Sequence, residues 1–136
     1  MNNIKVLHKF PTDDEFLYLF KSVGWERSIQ IIHENRKHSF FAVSVYSNNK
    51  LVAMGRVVGD GAYFTIFDVV THKNSQGQGF GSLVMEEIIK WYKTIKDNDT
   101  FLYVNASKGR EIFYEKFGFR QRPNEDVGAG MKWYEN

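Results

Sequence analysis

The stretch at residues 68–82 constrains the fold most strongly, because an apolar run there meets a glycine-rich turn and then an amphipathic helix. Apolar residues recur at helical spacing from residue 80 to residue 95. The amino end of such a helix presents unpaired backbone N–H groups and the positive end of its dipole. Gly77, Gly79 and Gly81 let a ligand approach the backbone closely. The junction therefore predicts an anion site, most naturally for a phosphate or pyrophosphate.

Composition excludes several classes of function. The chain has 136 residues, no cysteine, and a net charge of +2 from 18 basic and 16 acidic residues that are scattered along it. This predicts one domain spanning residues 1–136, with no disulfide, thiolate metal site, cysteine nucleophile or dedicated nucleic-acid surface. No apolar run approaches the length of a membrane span or a signal peptide. We therefore expect a cytoplasmic protein without membrane, nucleic-acid or metal partners.

The hydrophobic pattern predicts an α+β fold. A strand at residues 4–10 precedes a helix capped by Thr12 and ended by Gly24, with Phe16, Leu17 and Phe20 among the residues that face inward. A second helix is predicted at residues 29–35, and three antiparallel strands at 40–46, 51–58 and 63–70. After the long helix come a strand at 101–104, a helix at 108–117 and closing strands at 119–120 and 131–134. The expectation is a largely antiparallel sheet of about six to seven strands flanked by about four helices.

Two common phosphate loops do not fit the glycine-rich turn. A P-loop requires Gly-Lys-Ser/Thr, but Gly81 is followed by Ser82 and a leucine. A dinucleotide fingerprint requires a third glycine at position 82 or 84, where the chain has Ser82 and Val84. The strands before the turn are also joined by hairpins, whereas a dinucleotide fold uses crossover helices.

The turn instead has the pattern Gln/Arg-x-x-Gly-x-Gly/Ala in the segment Gln76-Gly77-Gln78-Gly79-Phe80-Gly81. It follows a strand and opens a helix, and Asn105 and Tyr114, with Gly-Phe at 118–119, follow downstream in matching order. In these features, and in its order of elements, the chain resembles the GNAT superfamily of N-acetyltransferases.

The resemblance implies direct transfer of an acetyl group from acetyl-CoA, as co-substrate, to an amine. It implies a GNAT-like sheet, backbone N–H donors near the reacting carbonyl from Val69 to Thr71, a bond from Asn105 to the pantetheine arm, and Tyr114 as general acid. The residues implied to bind acetyl-CoA are Val69, Val70, Thr71, Gln76, Gly77, Gln78, Gly79, Phe80, Gly81, Ser82, Asn105 and Tyr114.

The general base is open to several readings. Asp68 is the leading candidate, because burial in an apolar strand would raise the pKa of its carboxyl group. Strand alternation places Asp68 on the face opposite Phe67 and Val69 unless a bulge intervenes. The structural alternative is that Asp68 pairs with Arg56 or a backbone group, and a second candidate base is His72.

The acceptor must be inferred from residues outside the loop. Trp25, Arg27 and Phe67, with Glu125 and Asp126, predict an aromatic and acidic pocket for a cationic small-molecule amine. The alternatives are an enzyme that acetylates protein or peptide amines and a sensor that binds acyl-CoA without turnover. The oligomeric state is also open, with a homodimer among the alternatives.

Overall fold

The computed structural model describes residues 3–135. The chain forms two compact units, Met1–Asn105 and Ala106–Asn136. The first unit contains, in order, β1 (Ile4–Leu7), α1 (Asp13–Ser22), α2 (Ile29–His38), β2 (Phe41–Ser47), β3 (Lys50–Gly59), β4 (Tyr63–Thr71), a 3₁₀ turn (Lys73–Ser75), α3 (Phe80–Ile95) and β5 (Phe101–Val104). None of the helices within residues 3–135 combines the length and apolar character needed to cross a membrane.

The five strands form one sheet in the order β1-β2-β3-β4-β5. Strands β1 to β4 pair antiparallel, and short turns connect β2 to β3 and β3 to β4. β5 pairs parallel with β4, from Tyr63 opposite Phe101 to Ile66 opposite Val104, after the crossover that contains α3. Because β4 continues to Thr71, its last five residues extend beyond the end of β5.

The start of α1 follows the sequence signal closely. The Thr12 hydroxyl accepts from the Glu15 N–H at 3.2 Å and the Glu15 carboxylate accepts from the Thr12 N–H at 2.9 Å, which completes the predicted capping box. Phe16 and Phe20 are buried as predicted. The inward position predicted for Leu17 is wrong, since Leu17 is 37% exposed and Leu19 is fully buried.

Helices cover both faces of the sheet. On one face, α1 and α2 pack on the sheet and enclose a hydrophobic core. The buried residues of this core are Phe16, Leu19, Phe20, Ile32, Tyr46, Leu51, Met54 and Val70. On the other face, α3 lies close to β3 at Gly55, where a Cβ atom would come within 2.6 Å of Val84 Cγ1. Glycine at position 55 therefore permits the close approach of α3 to the sheet.

A bulge in β4 answers the question of which way Asp68 faces. Asp68 has a positive φ of 56°, and the pairing with β3 shifts register between Met54 and Arg56. The extra residue brings the Val69 side chain to the α3 face near Gly55 and leaves Asp68 beside Arg56. A regular strand would have reversed the faces of Val69 and the residues after it.

Residues 106–135, the described part of the second unit, contain one short helix, α4 (Glu111–Glu115). It is shorter than predicted because residues 107–110 form a turn with Gly109 at φ 93°. The closing strands predicted at 119–120 and 131–134 are wrong: no residue from 119 to 135 is paired in a sheet. A strand exists only with a hydrogen-bonded partner, which the local pattern does not reveal. The described sheet therefore has five strands, fewer than the predicted six to seven.

Candidate active site

The glycine-rich turn between β4 and α3 adopts a backbone conformation that favours glycine. Gly77 and Gly79 have φ values of 80° and 86°, in the left-handed region. A Cβ atom at either position would meet nothing within 4 Å, so the surface beside the turn is open. At these two positions the backbone angle is the reason for glycine, and the open space is available to a ligand.

The amino end of α3 is a set of backbone donors. Gly79 is its N-cap and provides no side-chain cap, and the first helical bond runs from the Leu83 N–H to the Gly79 carbonyl at 3.0 Å. The N–H groups of Phe80, Gly81 and Ser82 therefore precede the helical hydrogen-bond ladder. The Phe80 side chain is only 8% exposed, which anchors this end of the helix in the core. The arrangement suits a phosphate group.

The end of β4 presents a backbone edge next to these donors. The His72 N–H donates to Val52 on the β3 side at 2.8 Å, so by alternation the backbone groups of Thr71 point to the opposite edge. On that edge the Thr71 carbonyl accepts from Gln76 Nε2 at 3.3 Å. The pairing of β5 with this edge ends at Ile66, so β5 leaves the segment from residue 67 onwards uncovered.

His72 lies at the start of the turn. Its Nδ1 atom accepts from the Asn74 N–H at 3.1 Å, and its ring stacks on Tyr18 at a centroid distance of 4.9 Å. His72 is 9% exposed, which is consistent with a structural role in shaping the turn. Beside it is a shallow groove of about 370 Å³, lined by Tyr18, Lys21, Ser22, His72, Lys73 and Asn74.

Asp68 is held between two arginines. Its carboxylate accepts two bonds from the end of the Arg27 guanidinium, at 2.7 and 3.0 Å, and one from Arg56 Nε at 2.6 Å. Burial acts to raise the pKa of Asp68, but the hydrogen bonds and charges of both arginines outweigh it and hold the pKa below its usual value. The expectation that burial leaves Asp68 with a raised pKa is therefore wrong. The pairing of Asp68 with Arg56 is confirmed.

Aromatic rings surround this ion cluster. The Arg27 guanidinium lies 4.8 Å from the ring centroid of Phe20, and Arg56 lies 5.6 Å from that of Phe67. Trp25 packs edge-on against Phe20 at 5.4 Å. The structure thus brings Arg27, Phe67 and Asp68 together and places Trp25 beside the ring that Arg27 covers.

The remaining predicted residues lie further along the chain. Asn105 follows β5 directly and is exposed at the end of the first unit. Tyr114 belongs to α4 of the second unit, where it contacts the rings of Phe113 and Phe119. Burial raises the pKa of Tyr114, against the opposing charge of Arg110, so the hydroxyl group keeps its proton at neutral pH.

The acidic side of the predicted acceptor pocket has its own local contacts in the second unit. Asp126 lies 3.6 Å from the guanidinium of Arg120, and its N–H donates to Asn124 Oδ1 at 2.9 Å.

The sequence analysis did not assign a site role to Arg56 or Asn35. A charged residue within the apolar run of β3 was the available signal for Arg56, whereas Asn35 on α2 gave none.

Comparison with known proteins identifies the family. Residues 14–135 match the family described as Acetyltransferase (GNAT) domain, and the chain belongs to it. It is 34% identical over 126 residues to the uncharacterized N-acetyltransferase ycf52 of Porphyra purpurea, an alignment that covers 88% of this chain and 70% of that protein. The protein is therefore an acetyltransferase of the GNAT type. The predicted family, fold class and enzyme class are confirmed, with the corrected strand count.

Solved structures show the same fold. Protein SA2161 of methicillin-resistant Staphylococcus aureus, described as a probable acetyltransferase, matches with a TM-score of 0.84 and 30% identity, over 96% of this chain and 100% of that one. A GNAT family acetyltransferase from Elizabethkingia anophelis, solved with acetyl-CoA bound, matches with a TM-score of 0.66 and 20% identity, over 88% of this chain and 77% of that one.

Proposed function

We propose that this enzyme transfers an acetyl group directly from acetyl-CoA to a primary amine of a small molecule. The observation that carries the proposal is the amino end of α3, where backbone donors at an open glycine turn adjoin the uncovered edge of β4. An anion at the turn and an extended amide chain along the edge describe the pyrophosphate and pantetheine of acetyl-CoA. The acetyl-CoA in the Elizabethkingia enzyme supports this choice of donor.

In the proposed complex, the pyrophosphate contacts the backbone of residues 76–82. The pantetheine arm runs along the edge that contains Val69 and Thr71, and Asn105 binds its amide groups. The side chains of Val70 and Phe80 stay in the core, because both residues are buried. Phe80 therefore contributes through its backbone N–H, whereas the backbone groups of Val70, like those of His72, point to β3. In this proposal the ligand contacts the backbone of the loop, in which Phe80 is buried and Gln76 and Gln78 are exposed.

In the proposed reaction the acetyl group passes directly from CoA to the amine, without an acyl-enzyme intermediate. A neutral amine nitrogen attacks the thioester carbonyl carbon, a C–N bond forms, and the oxygen takes the negative charge beside backbone N–H donors. Collapse re-forms the carbonyl group and breaks the C–S bond, and the thiolate of CoA takes the hydroxyl proton of Tyr114. The nitrogen gives its extra proton to solvent water, and the Tyr114 phenolate takes a proton back from solvent. Tyr114 is suited to this step because its raised pKa keeps the hydroxyl group protonated.

The ammonium form of the acceptor must lose a proton before attack, since the pKa of an alkyl amine is about 10.4. The role of Asp68 as the proton acceptor stays a prediction, and the two arginine contacts make its carboxylate a weak base. We propose that the proton instead leaves through water to bulk solvent. In that case Asp68 acts by holding Arg27 and Arg56.

A screen for thiol release tests the proposed function. The enzyme is incubated with acetyl-CoA and a panel of polyamines, arylalkylamines, amino acids, amino sugars and peptides, and free CoA is measured. We expect turnover with at least one small amine and an N-acetylated product of matching mass. Tight acetyl-CoA binding without release for any amine would refute the proposed transfer and favour the sensor alternative. Turnover with peptides alone would favour a protein-modifying enzyme.

A further inference from the structure

We propose that Arg27 binds an anionic group of the acceptor, so the acceptor is an amine that also carries a carboxylate or a phosphate. This inference deepens the proposed function and rests on it. The sequence alone suggested an acidic pocket for a cationic acceptor. In the structure, two arginines and one aspartate lie at the β4 bulge, so the net charge there is positive.

The hydrogen bonds of Arg27 leave one side of its guanidinium available. Asp68 and Asn35 accept from the Nη1 and Nη2 end, at distances of 2.7 to 3.0 Å. Within residues 3–135, no acceptor contacts the Nε–H of Arg27 or its second Nη2–H. No buried side-chain nitrogen in that range lacks a partner, so the Nε–H reaches solvent. These two donors form the second fork that a guanidinium offers to a carboxylate or phosphate.

The charge of the cluster favours an anion. Two guanidiniums surround one carboxylate, which leaves one unit of positive charge. The side chains of Arg56 and Asp68 are each 9% exposed, whereas that of Arg27 is 25% exposed. The excess charge therefore meets solvent at Arg27. A positive group partly removed from water attracts an anion more strongly than one on the open surface.

The position of Arg27 fits an acceptor. Its partner Asp68 immediately precedes Val69, the first residue of the strand edge proposed to hold the thioester. Phe67 and Trp25, which are 38% and 42% exposed, add apolar surface around the same cluster. An acceptor whose amine points to the β4 edge, with an anionic group a few bonds away, would contact both that edge and Arg27. A polyamine would instead place a second cation against Arg27.

Matched acceptor pairs test the proposal, each pair differing only in the anionic group. Phenylalanine is compared with phenylethylamine for the carboxylate, and glucosamine 6-phosphate with glucosamine for the phosphate. We expect the anionic member of at least one pair to have the higher kcat/KM, by about tenfold or more. The two pairs show which anion the site prefers. Equal or better turnover of the member without the anionic group, in both pairs, would overturn the proposal.

The variant Arg27→Gln tests the residue. It keeps a polar side chain that can still contact Asp68, but it removes the charge and the open fork. We expect KM for the preferred anionic acceptor to rise about tenfold or more, and by a larger factor than KM for its partner without the anionic group. The matched control is Arg36→Gln, since Arg36 also pairs with a carboxylate, Asp13, and covers a ring, Phe10. A similar KM change in both variants would overturn the proposal.

A binding measurement separates this proposal from the proposed function. Thermal shift is recorded for the wild type and for Arg27→Gln with each member of the acceptor pairs. An anionic amine that stabilises only the wild type supports the anion site even if no thiol is released, in which case the proposed function fails and the site stands. If thiol is released at equal rates from the two members of each pair, and Arg27→Gln leaves both rates unchanged, the function stands and the anion site fails.

Discussion

At the scale of single residues, Asp68 is the most constrained position of the first unit. It combines a left-handed backbone, a buried carboxylate and two arginine partners. A non-glycine residue in this conformation costs of the order of 1 to 2 kcal/mol, which the surrounding contacts must offset. The bonds to Arg27 and Arg56 are those contacts, so Asp68 stabilises the bulge that sets the position of Val69.

The variant Asp68→Asn separates charge from backbone, because asparagine also tolerates a positive φ. We expect a loss of about 3 kcal/mol in the free energy of unfolding at neutral pH, since the buried guanidinium of Arg56 and the partly exposed one of Arg27 lose their counter-charge. The pKa of Asp68 is lowered in the folded state, so its contribution is present above the unfolded pKa and is lost as pH falls through the folded pKa.

Urea unfolding of both proteins between pH 3 and pH 7 measures this effect. The difference between wild type and Asp68→Asn should be constant near neutral pH and should shrink below about pH 4. Asp126→Asn is the control, because its ion pair with Arg120 is exposed, and it should change stability little. A gap between wild type and Asp68→Asn that is independent of pH would contradict the ion-cluster account.

Tyr114→Phe tests the proposed general acid. Removing the hydroxyl group should lower kcat by about a hundredfold and leave the Kd for acetyl-CoA nearly unchanged, since the hydroxyl acts only on the departing thiolate. The pKa of Tyr114 is raised above 10.0, so loss of its proton should not reduce wild-type activity below about pH 10. Single-turnover kinetics and equilibrium dialysis give the two parameters. Equal losses in kcat and in acetyl-CoA affinity would count against the acid role.

At the scale of elements, the junction of β4 and α3 depends on backbone angles in the turn. Gly79→Ala introduces a Cβ at φ 86° and places it beside the helix donors. We expect the Kd for acetyl-CoA to rise about tenfold, measured by titration calorimetry. Gly61→Ala is the matched control, because Gly61 has φ 102°, equally open surroundings and a position in the β3–β4 hairpin. Matching losses of affinity in the two variants would argue against a pyrophosphate site at Gly79.

The packing of α3 on the sheet gives a second prediction at this scale. Gly55→Ala would place a methyl group 2.6 Å from Val84 Cγ1, so α3 or the strand must shift. We expect a loss of about 2 kcal/mol in urea unfolding, as for an overpacked core. Gly128→Ala, with nothing within 4 Å and no positive φ, should be neutral. If overpacking is the cause, the double variant with Val84→Ala should lose less than the sum of the single losses.

At the scale of the whole molecule, acetyl-CoA should stabilise the folded protein. A ligand that binds only the folded state adds about 2.7 kcal/mol at a hundred times its Kd, so Tm should rise with acetyl-CoA concentration. Adenosine 3′,5′-bisphosphate lacks the pyrophosphate and should give a much smaller rise. A thermal melt series with both ligands measures this, and equal shifts would place the binding energy outside the glycine turn.

Local patterns in the sequence determined most elements and the family. The capping box at Thr12, the apolar period of α3 and the glycine spacing from Gly77 to Gly81 each depend on neighbours within a few residues. Such patterns can be recognised without knowledge of the rest of the chain, because hydrogen bonding within a helix or turn is local. The anion-site prediction followed from the same local signals.

Only the tertiary structure decided the facing of Asp68, the partners of Arg27 and the number of strands. A bulge reverses the alternation of a strand, and its position follows from pairing with β3, which no local pattern of β4 contains. The pKa of Asp68 moved opposite to expectation because Arg27, 41 residues away in the chain, lies against it. Residues 119–135 likewise remain outside the sheet because a strand is defined by its partner. Contacts between distant residues set these features, so the excess positive charge at the proposed acceptor site became visible only in the folded chain.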